Sequence, residues 1–331
     1  MPTFLITRRM SPELAARVLA SVRGQRAAPV ARRSRPSTMA QLRLAAVLLV
    51  AALVTSIVIW RQRSHEHLEA ARAELLAAVR RQANSLNPSQ KGIAARAELW
   101  IARFTGRYEG DWVDPDLQTE EQLTQRLAQP LLYVKGPIDG FRDSPQIAET
   151  ARNSFKDAFV ACLVRPPEAR SESALLARVR QVGSRGEQSE TLGHVQRLHG
   201  ALAGLPFLGD AWAKHIQTAP DTLEIDKLRR LFEKAPIESA KKAAQSSILL
   251  LALDEPGELT VPAELDGERP HAVRAALIDL DQGRWLLRVR RTVDPRKLSS
   301  ENRATRASAL DACGFALEVR QAVSQVRSAS R

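Results

Sequence analysis

The sequence has 331 residues, of which 44% are hydrophobic and 26% are charged, with a formal net charge of +12. This apolar fraction is ordinary for a folded protein and excludes a chain that is disordered throughout. The positive charge is concentrated at one end, because residues 1–43 contain nine arginines and one acidic residue, Glu13, and so carry +8 of the +12. A nucleic-acid-binding domain needs basic residues on its folded surface, so we expect no nucleic-acid partner for the remainder of the chain.

Residues 1–43 are predicted to form a basic cytoplasmic tail that is mostly flexible. A short helix is predicted over Pro12–Val22, since Ser11 suits the N-cap and proline suits the first helical position. The residues that follow, RGQRAAPVARRSRPSTMAQ, are typical of a basic linker that can lie on anionic lipid. The sequence leaves the true start codon open among Met1, Met10 and Met39.

The stretch Leu44–Trp60, LAAVLLVAALVTSIVIW, is predicted to be a single transmembrane helix. Its 17 residues include no charge, no glycine and no proline, and the only polar side chains are those of Thr55 and Ser56. A hydroxyl in a helix can bond to a carbonyl one turn earlier, so both residues are compatible with lipid. The helix would be about 25 Å long, close to the roughly 30 Å of a hydrocarbon core. The lipid bilayer is therefore a predicted partner.

The arginines of the tail predict the orientation of this helix. Basic residues remain on the cytoplasmic side of a membrane, which favours a cytoplasmic N-terminus and an extracytoplasmic location for residues 61–331. A cleaved signal peptide is disfavoured, because 43 residues precede the apolar stretch and no small-x-small site follows it. We therefore expect a single-pass protein of the inner (cytoplasmic) membrane.

The layout of the first 60 residues, with SPELAARVLASVRG, a basic linker and one span, resembles the region that joins bacterial anti-sigma factors to their membrane helix. The resemblance covers about 50 residues. It implies a transmembrane signalling component in which a cytoplasmic partner binds the tail. Anti-sigma factors often carry a zinc-binding His/Cys cluster in this region, and residues 1–43 contain neither residue type.

Residues 61–128 are predicted to form a helical stalk and packing helices. The segment after Trp60 has high helix propensity until Asn87-Pro88, so the membrane helix is expected to continue as a stalk that docks on the domain. Ile93–Phe104 has apolar residues on one helical face, and Thr119 suits the N-cap of a short helix over Thr119–Ala128.

Residues 129–331 are predicted to form an extracytoplasmic α+β domain, helix-rich around a small mixed sheet of about five strands. Five apolar runs predict the strands: residues 131–137, 159–167, 247–254, 272–279 and 284–291. The last two are expected to form a hairpin, closed by DLDQGR. Helices are predicted over residues 144–155, 171–182, 187–202, 208–218, 222–234, 237–244 and 299–326.

Cys162 and Cys313 are the only cysteines. Cys162 is expected inside the apolar strand 159–167, and Cys313 is expected on the apolar side of the final helix. Outside the cytoplasm the two could form a disulfide, and closing a loop of about 150 residues would contribute about 4–5 kcal/mol in the chain-entropy model. A pair of free, buried cysteines remains the alternative.

No catalytic, cofactor-binding or metal-binding motif occurs: GxSxG, GxxxxGK[ST], HExxH and CxxC are all absent. Acidic residues cluster between Asp254 and Glu268, where a solvated loop is the expected interpretation. One basic run, with Arg284, Arg288, Arg290 and Arg291, is a candidate interaction patch for an acidic partner or the membrane surface, or alternatively a charged strand edge.

The sequence therefore favours a membrane-anchored binding or assembly module of the cell envelope. It would bind protein partners, with no catalytic activity evident, without a cofactor and without an identifiable small-molecule substrate. A transmembrane signalling component with a sensory outer domain is the alternative, and an unrecognised hydrolase is the third hypothesis.

Overall fold

The computed structural model describes residues 38–182, 186, 190–257 and 269–329. The predicted helix Pro12–Val22, most of the basic tail and most of the acidic loop lie outside the described residues. The chain divides into two compact units, Met1–His65 and Glu66–Arg331.

Helix α1, Thr38–Ala83, contains the predicted membrane segment. Among the described helices, one, over Ala45–Ala83, is long and apolar enough to cross a membrane, and none of its apolar window is buried by protein. The Thr55 hydroxyl donates to the carbonyl oxygen of Ala51 at 2.7 Å, as expected for a hydroxyl in an apolar helix. By its length and composition, this helix is a candidate membrane span.

The second unit contains a six-stranded mixed sheet. Its strands are β1 (Trp112–Val113), β2 (Leu131–Pro137), β3 (Val195–Arg197), β4 (Ile248–Asp254), β5 (His271–Asp279) and β6 (Arg284–Val293). The spatial order is β1-β6-β5-β4-β2-β3. Strands β3, β2 and β4 are parallel, whereas β5, β6 and β1 continue the sheet in antiparallel pairs. The predicted α+β class and mixed sheet are confirmed.

Helices cover both faces of this sheet. They are α2 (Pro88–Lys91), α3 (Ile93–Thr105), α4 (Glu120–Leu127), α5 (Ser144–Asn153), α6 (Ala158–Val164), α7 (Glu172–Val182), α8 (Leu198–Gly204), α9 (Asp210–Thr218), α10 (Thr222–Lys234), α11 (Ile237–Ala244) and α12 (Ser300–Ala329). Alternate residues of β2 and β4 pack against α4, α6, α7 and α12 on one face and against α3, α5, α8 and α11 on the other. Burial of both faces explains why the central strand β4 is apolar from Ile248 to Leu253.

The end of α1 also packs on this unit. Leu75 and Val79 are buried against Ile216, Ile225 and Leu228 of α9 and α10. The guanidinium of Arg229 adds an ion pair with Glu74, with 3.0 Å between nitrogen and oxygen. The C-terminal end of α1, from Glu66 onward, therefore belongs to the second unit and shares a core with α9 and α10.

Two predictions of secondary structure were wrong. The predicted strand 159–167 is helix α6, because Asp157 accepts a hydrogen bond from the Val160 N–H and starts a helix there. This helix is buried on all sides, so its sequence has no 3.6-residue polar pattern. The predicted helix 187–202 is interrupted by β3, which pairs with β2 through main-chain contacts that side-chain periodicity does not predict.

Candidate functional site

The strand order reverses beside β2. From β2 the chain continues to β3 on one side and then returns to β4 on the other side. In open sheets with parallel strands, ligands bind outside the carboxyl ends of the strands at such a reversal. Lys135, near the end of β2, and Asp254, at the end of β4, lie at this edge.

A cavity of about 260 Å³ opens at this position. Four ionisable side chains line it, those of Lys135, Asp254, His271 and Asp311, with Ser308 beside them. They come from four separate parts of the chain: β2, β4, the start of β5, and α12. We call this set the charged cavity.

Aromatic rings form the apolar wall of the charged cavity. Phe159 and Phe315 are buried and stack with their ring centroids 5.2 Å apart, and Tyr133 stacks behind Phe159 at 6.4 Å. Ala252, Val273, Val293 and Ala312 complete the wall. The cavity therefore combines an apolar surface with two acidic and two basic side chains, a combination that suits specific binding of a small molecule.

Asp157 holds two groups in position beside this cavity. One of its carboxylate oxygens accepts a hydrogen bond from the Tyr133 hydroxyl at 2.8 Å, and the other accepts one from the Lys135 ammonium at 3.2 Å. Burial, followed by the charge of Asp157, raises the pKa of Tyr133 well above its usual value. Tyr133 therefore stays neutral and serves as a donor, and the same carboxylate orients Lys135 toward the site.

His271 is held by its backbone neighbour. Nδ1 lies 2.7 Å from the carbonyl oxygen of Arg269, so Nδ1 carries a proton and donates it. Nε2 faces the Asp254 carboxylate at 4.0 Å. A Ser-His-Asp triad requires the reverse arrangement, in which Nδ1–H bonds the carboxylate and Nε2 accepts the serine proton. The geometry at His271 thus differs from that of a triad even though Ser308 lines the same cavity.

Cys162 and Cys313 lie at disulfide distance, with their Cα atoms 5.3 Å apart. Cys162 is on helix α6, so its predicted location in a strand was wrong, whereas Cys313 is on the buried side of α12 as predicted. The pair joins the two helices that carry Phe159 and Phe315. It therefore lies between the two helices that supply the aromatic wall of the charged cavity.

The four arginines of the predicted interaction patch all contact acidic side chains of the same chain. Arg284 pairs with Asp114 and Asp116, Arg288 with Glu109, Arg290 with Glu255, and Arg291 with Asp111. The ion pairs of Arg284, Arg288 and Arg291 hold residues 109–116 along β6, where β1 pairs with it. As an interaction surface the patch stays a prediction, and it presents mixed rather than purely positive charge.

The sequence analysis did not predict the charged cavity, and it did not single out His271. A signal was available, because Lys135 and Asp254 each follow a buried apolar run, LLYV and ILLLAL. Within the described part of the chain, no group of three or more His, Cys, Asp or Glu side chains could hold a metal ion.

Comparison with protein-family models, curated proteins and solved structures found no match for this chain. The class of the protein is therefore defined by its own structure. It is an α+β protein with a mixed six-stranded sheet covered on both faces by helices, together with one long apolar helix.

Proposed function

We propose that this protein is a single-pass, membrane-anchored binding module of the cell envelope. Residues 44–60 span the inner membrane, the tail of residues 1–43 lies in the cytoplasm, and the α+β domain lies outside it. The domain binds a small polar molecule in the charged cavity. The main observation in support of this proposal is that Lys135, Asp254, His271 and Asp311 line one cavity that also has an apolar wall.

The membrane anchor is supported by the exposed apolar residues of α1 and by the charge of the tail. Leu49 and Trp60 are exposed to 67% and 70%, respectively, which is costly in water and favourable in lipid. The extracytoplasmic location is supported by the Cys162–Cys313 pair, since disulfides persist in oxidising compartments.

The class of ligand follows from the charges in the cavity. The carboxylates of Asp254 and Asp311 favour a cationic group, whereas the Lys135 ammonium favours an anionic one. A small zwitterion with an apolar part, such as a free amino acid, satisfies both and places its apolar part against Phe159 and Phe315. The cavity volume of about 260 Å³ also favours a small ligand.

Binding is tested with the full-length chain in detergent micelles. The unfolding temperature is measured with and without each of the standard amino acids at millimolar concentration. We expect a subset of the amino acids to raise the unfolding temperature of the wild type. This increase should disappear in Asp254→Asn and in Asp311→Asn. Asp226→Asn, on helix α10, is the matched control and should keep the increase. If no amino acid stabilises the wild type, or if Asp254→Asn responds fully, the assigned ligand class is wrong.

The membrane topology is tested independently of the ligand. Protease added to intact spheroplasts should degrade the domain, and the cytoplasmic tail should remain protected. A tag on residue 1 and an antibody against the domain detect the two parts. Protection of the domain would overturn the proposed orientation without affecting the binding proposal.

A hydrolase is the second candidate, favoured by the presence of Ser308 and His271 in one cavity. Because the His271 imidazole donates through Nδ1 to the carbonyl of Arg269, it would have to rotate to act as a base for Ser308. Turnover of model esters that is lost in Ser308→Ala would favour this candidate over a binding module.

A further inference from the structure

A second cavity, of about 180 Å³, lies at the β3 edge of the sheet. Gln196 and Arg197 of β3 line it, together with Lys156, His199 and Ser239. None of these residues belongs to the charged cavity described above. The same five residues define what we call the basic pocket.

Among the described residues that line this pocket, the ionisable side chains are all basic. Lys156, Arg197 and His199 all face it, and no acidic side chain is among the described residues that line it. Burial lowers the pKa of Lys156, and the charge of Arg197 lowers it further. Burial also lowers the pKa of His199, with contributions from Arg197 and Arg152 that outweigh the opposing charge of Glu149. Three basic groups therefore crowd one small space.

Hydrogen bonds to the main chain hold two of these groups in place. The Lys156 ammonium donates to the carbonyl oxygen of Leu192 at 2.7 Å, and Nε of Arg197 donates to that of Ser154 at 2.6 Å. A terminal nitrogen of Arg197 also donates to the Arg152 carbonyl at the end of α5. Carbonyl oxygens are neutral acceptors, so these bonds position the cations without adding a negative charge. Because these side chains are already held in place, they lose less conformational entropy when an anion binds.

The remaining lining residues are polar and can supply neutral donors. The Ser239 hydroxyl lies on α11, and the Gln196 amide donates to the Gly193 carbonyl. Helices α8 and α11 approach closely here, since a Cβ atom on Gly200 would lie only 3.2 Å from the Ser239 carbonyl oxygen. Charged and neutral donors around a small pocket match the oxygens of a tetrahedral anion.

We propose that the basic pocket binds a phosphate group, either as free phosphate or as the head group of a glycerolipid. This site is separate from the ligand site of the proposed function and does not depend on it. Each source presents the same oxygens to Lys156, Arg197 and His199. The experiment distinguishes the two sources.

The test uses the full chain in detergent micelles at constant ionic strength. Binding of inorganic phosphate and of short-chain, water-soluble phosphatidic acid is measured by calorimetry. We expect at least one of these two probes to bind the wild type with a stoichiometry of one. Its affinity should fall at least tenfold in Lys156→Gln and in His199→Gln. Lys227→Gln, which removes a cation from α10, should bind as the wild type does. Arg197 is left intact, because it also donates hydrogen bonds to main-chain carbonyl oxygens at the end of α5, and replacing it would remove those bonds as well.

Binding of inorganic phosphate alone or of both probes identifies free phosphate as sufficient, whereas binding of phosphatidic acid alone identifies the lipid head group. A further variant, Gln196→Glu, places a fixed carboxylate in the basic pocket. It should raise the unfolding temperature in the absence of phosphate and abolish phosphate binding. The proposal is overturned if neither probe binds, or if Gln196→Glu and Lys156→Gln bind as the wild type does.

Discussion

The Cα atoms of Cys162 and Cys313 lie 5.3 Å apart, although 151 residues separate the two in sequence. Helices α6 and α12 meet at this point, and Arg320 of α12 also donates to the Leu163 carbonyl of α6 at 2.8 Å. The pair therefore connects an early part of the domain to its final helix. If the sulfurs are bonded, the bond restricts the unfolded chain over most of the length of the domain.

The first prediction concerns this pair. Reduction of the wild-type protein should lower its free energy of unfolding by about 2–5 kcal/mol, because the unfolded chain regains the entropy of a long loop. The double variant Cys162→Ala/Cys313→Ala should be similarly destabilised and should not respond to the reductant. Urea denaturation with and without dithiothreitol measures both effects. A wild type whose midpoint is unchanged by the reductant would show that the cysteines are not bridged.

The second prediction concerns pH and Glu255. This carboxylate accepts hydrogen bonds from Arg274 and Arg290. Burial, the largest single influence, raises the pKa of Glu255, but the hydrogen bonds and charges of the two arginines together lower it below its usual value. A carboxylate whose pKa is lower in the folded state stabilises the protein above its unfolded-state pKa of about 4.3, and this stabilisation is lost as the pH falls through the folded-state pKa.

We therefore expect Glu255→Gln to lower the free energy of unfolding by about 2–3 kcal/mol at pH 7, since it leaves two arginines without their shared partner. The difference in free energy of unfolding between Glu255→Gln and the wild type should shrink below pH 4, because Glu255 then becomes protonated in the wild type. Chemical denaturation at several pH values measures the effect, and Glu233→Gln on the exposed side of α10 is the control. An equal loss of stability at pH 3 and pH 7 would indicate that packing, and not charge, is responsible.

The third prediction concerns the C-terminal end of α1. Leu75 is only 3% exposed and packs in the small core that α1 shares with α9 and α10. Leu75→Ala should therefore lower the free energy of unfolding by about 2–4 kcal/mol, because apolar burial is lost and a cavity is left behind. Leu223→Ala, at a side chain that is 77% exposed, should cost less than about 0.5 kcal/mol. Similar losses for the two variants would show that this end of α1 does not share a core with the domain.

Local patterns predicted much of this fold. The turn DLDQGR closes the β5–β6 hairpin as expected, with the Asp279 carboxylate accepting from the N–H groups of Asp281 and Gln282 and with Gly283 at a φ of +64°. A positive φ of this kind favours glycine, so the sequence itself marks the turn. The strands β2 and β4 were likewise evident from their apolar residues and flanking polar residues.

What local patterns missed depends on distant parts of the chain. The sequence around Cys162 is apolar at every position because α6 is buried on all sides, and such a segment has neither a helical nor a strand period. The charged cavity combines side chains from β2, β4, β5 and α12, which only the strand order brings together. The basic pocket likewise depends on β3, a three-residue strand that pairs through its main chain.

The last prediction concerns the membrane segment, on which the proposed location of the whole protein depends. Val50 and Leu53 lie within the apolar stretch of α1, and both are exposed. An arginine near the centre of a membrane helix makes the free energy of membrane insertion about 2.5–3.5 kcal/mol less favourable. The double variant Val50→Arg/Leu53→Arg should therefore insert poorly and appear largely in the carbonate-soluble fraction, whereas the wild type should remain with the membrane. Leu99→Arg adds the same charged group at an exposed position of α3 and should stay in the membrane fraction. If the wild type itself is released by carbonate and stays soluble without detergent, the apolar stretch is not a membrane anchor, and the argument for an oxidising compartment around Cys162 and Cys313 loses its main support.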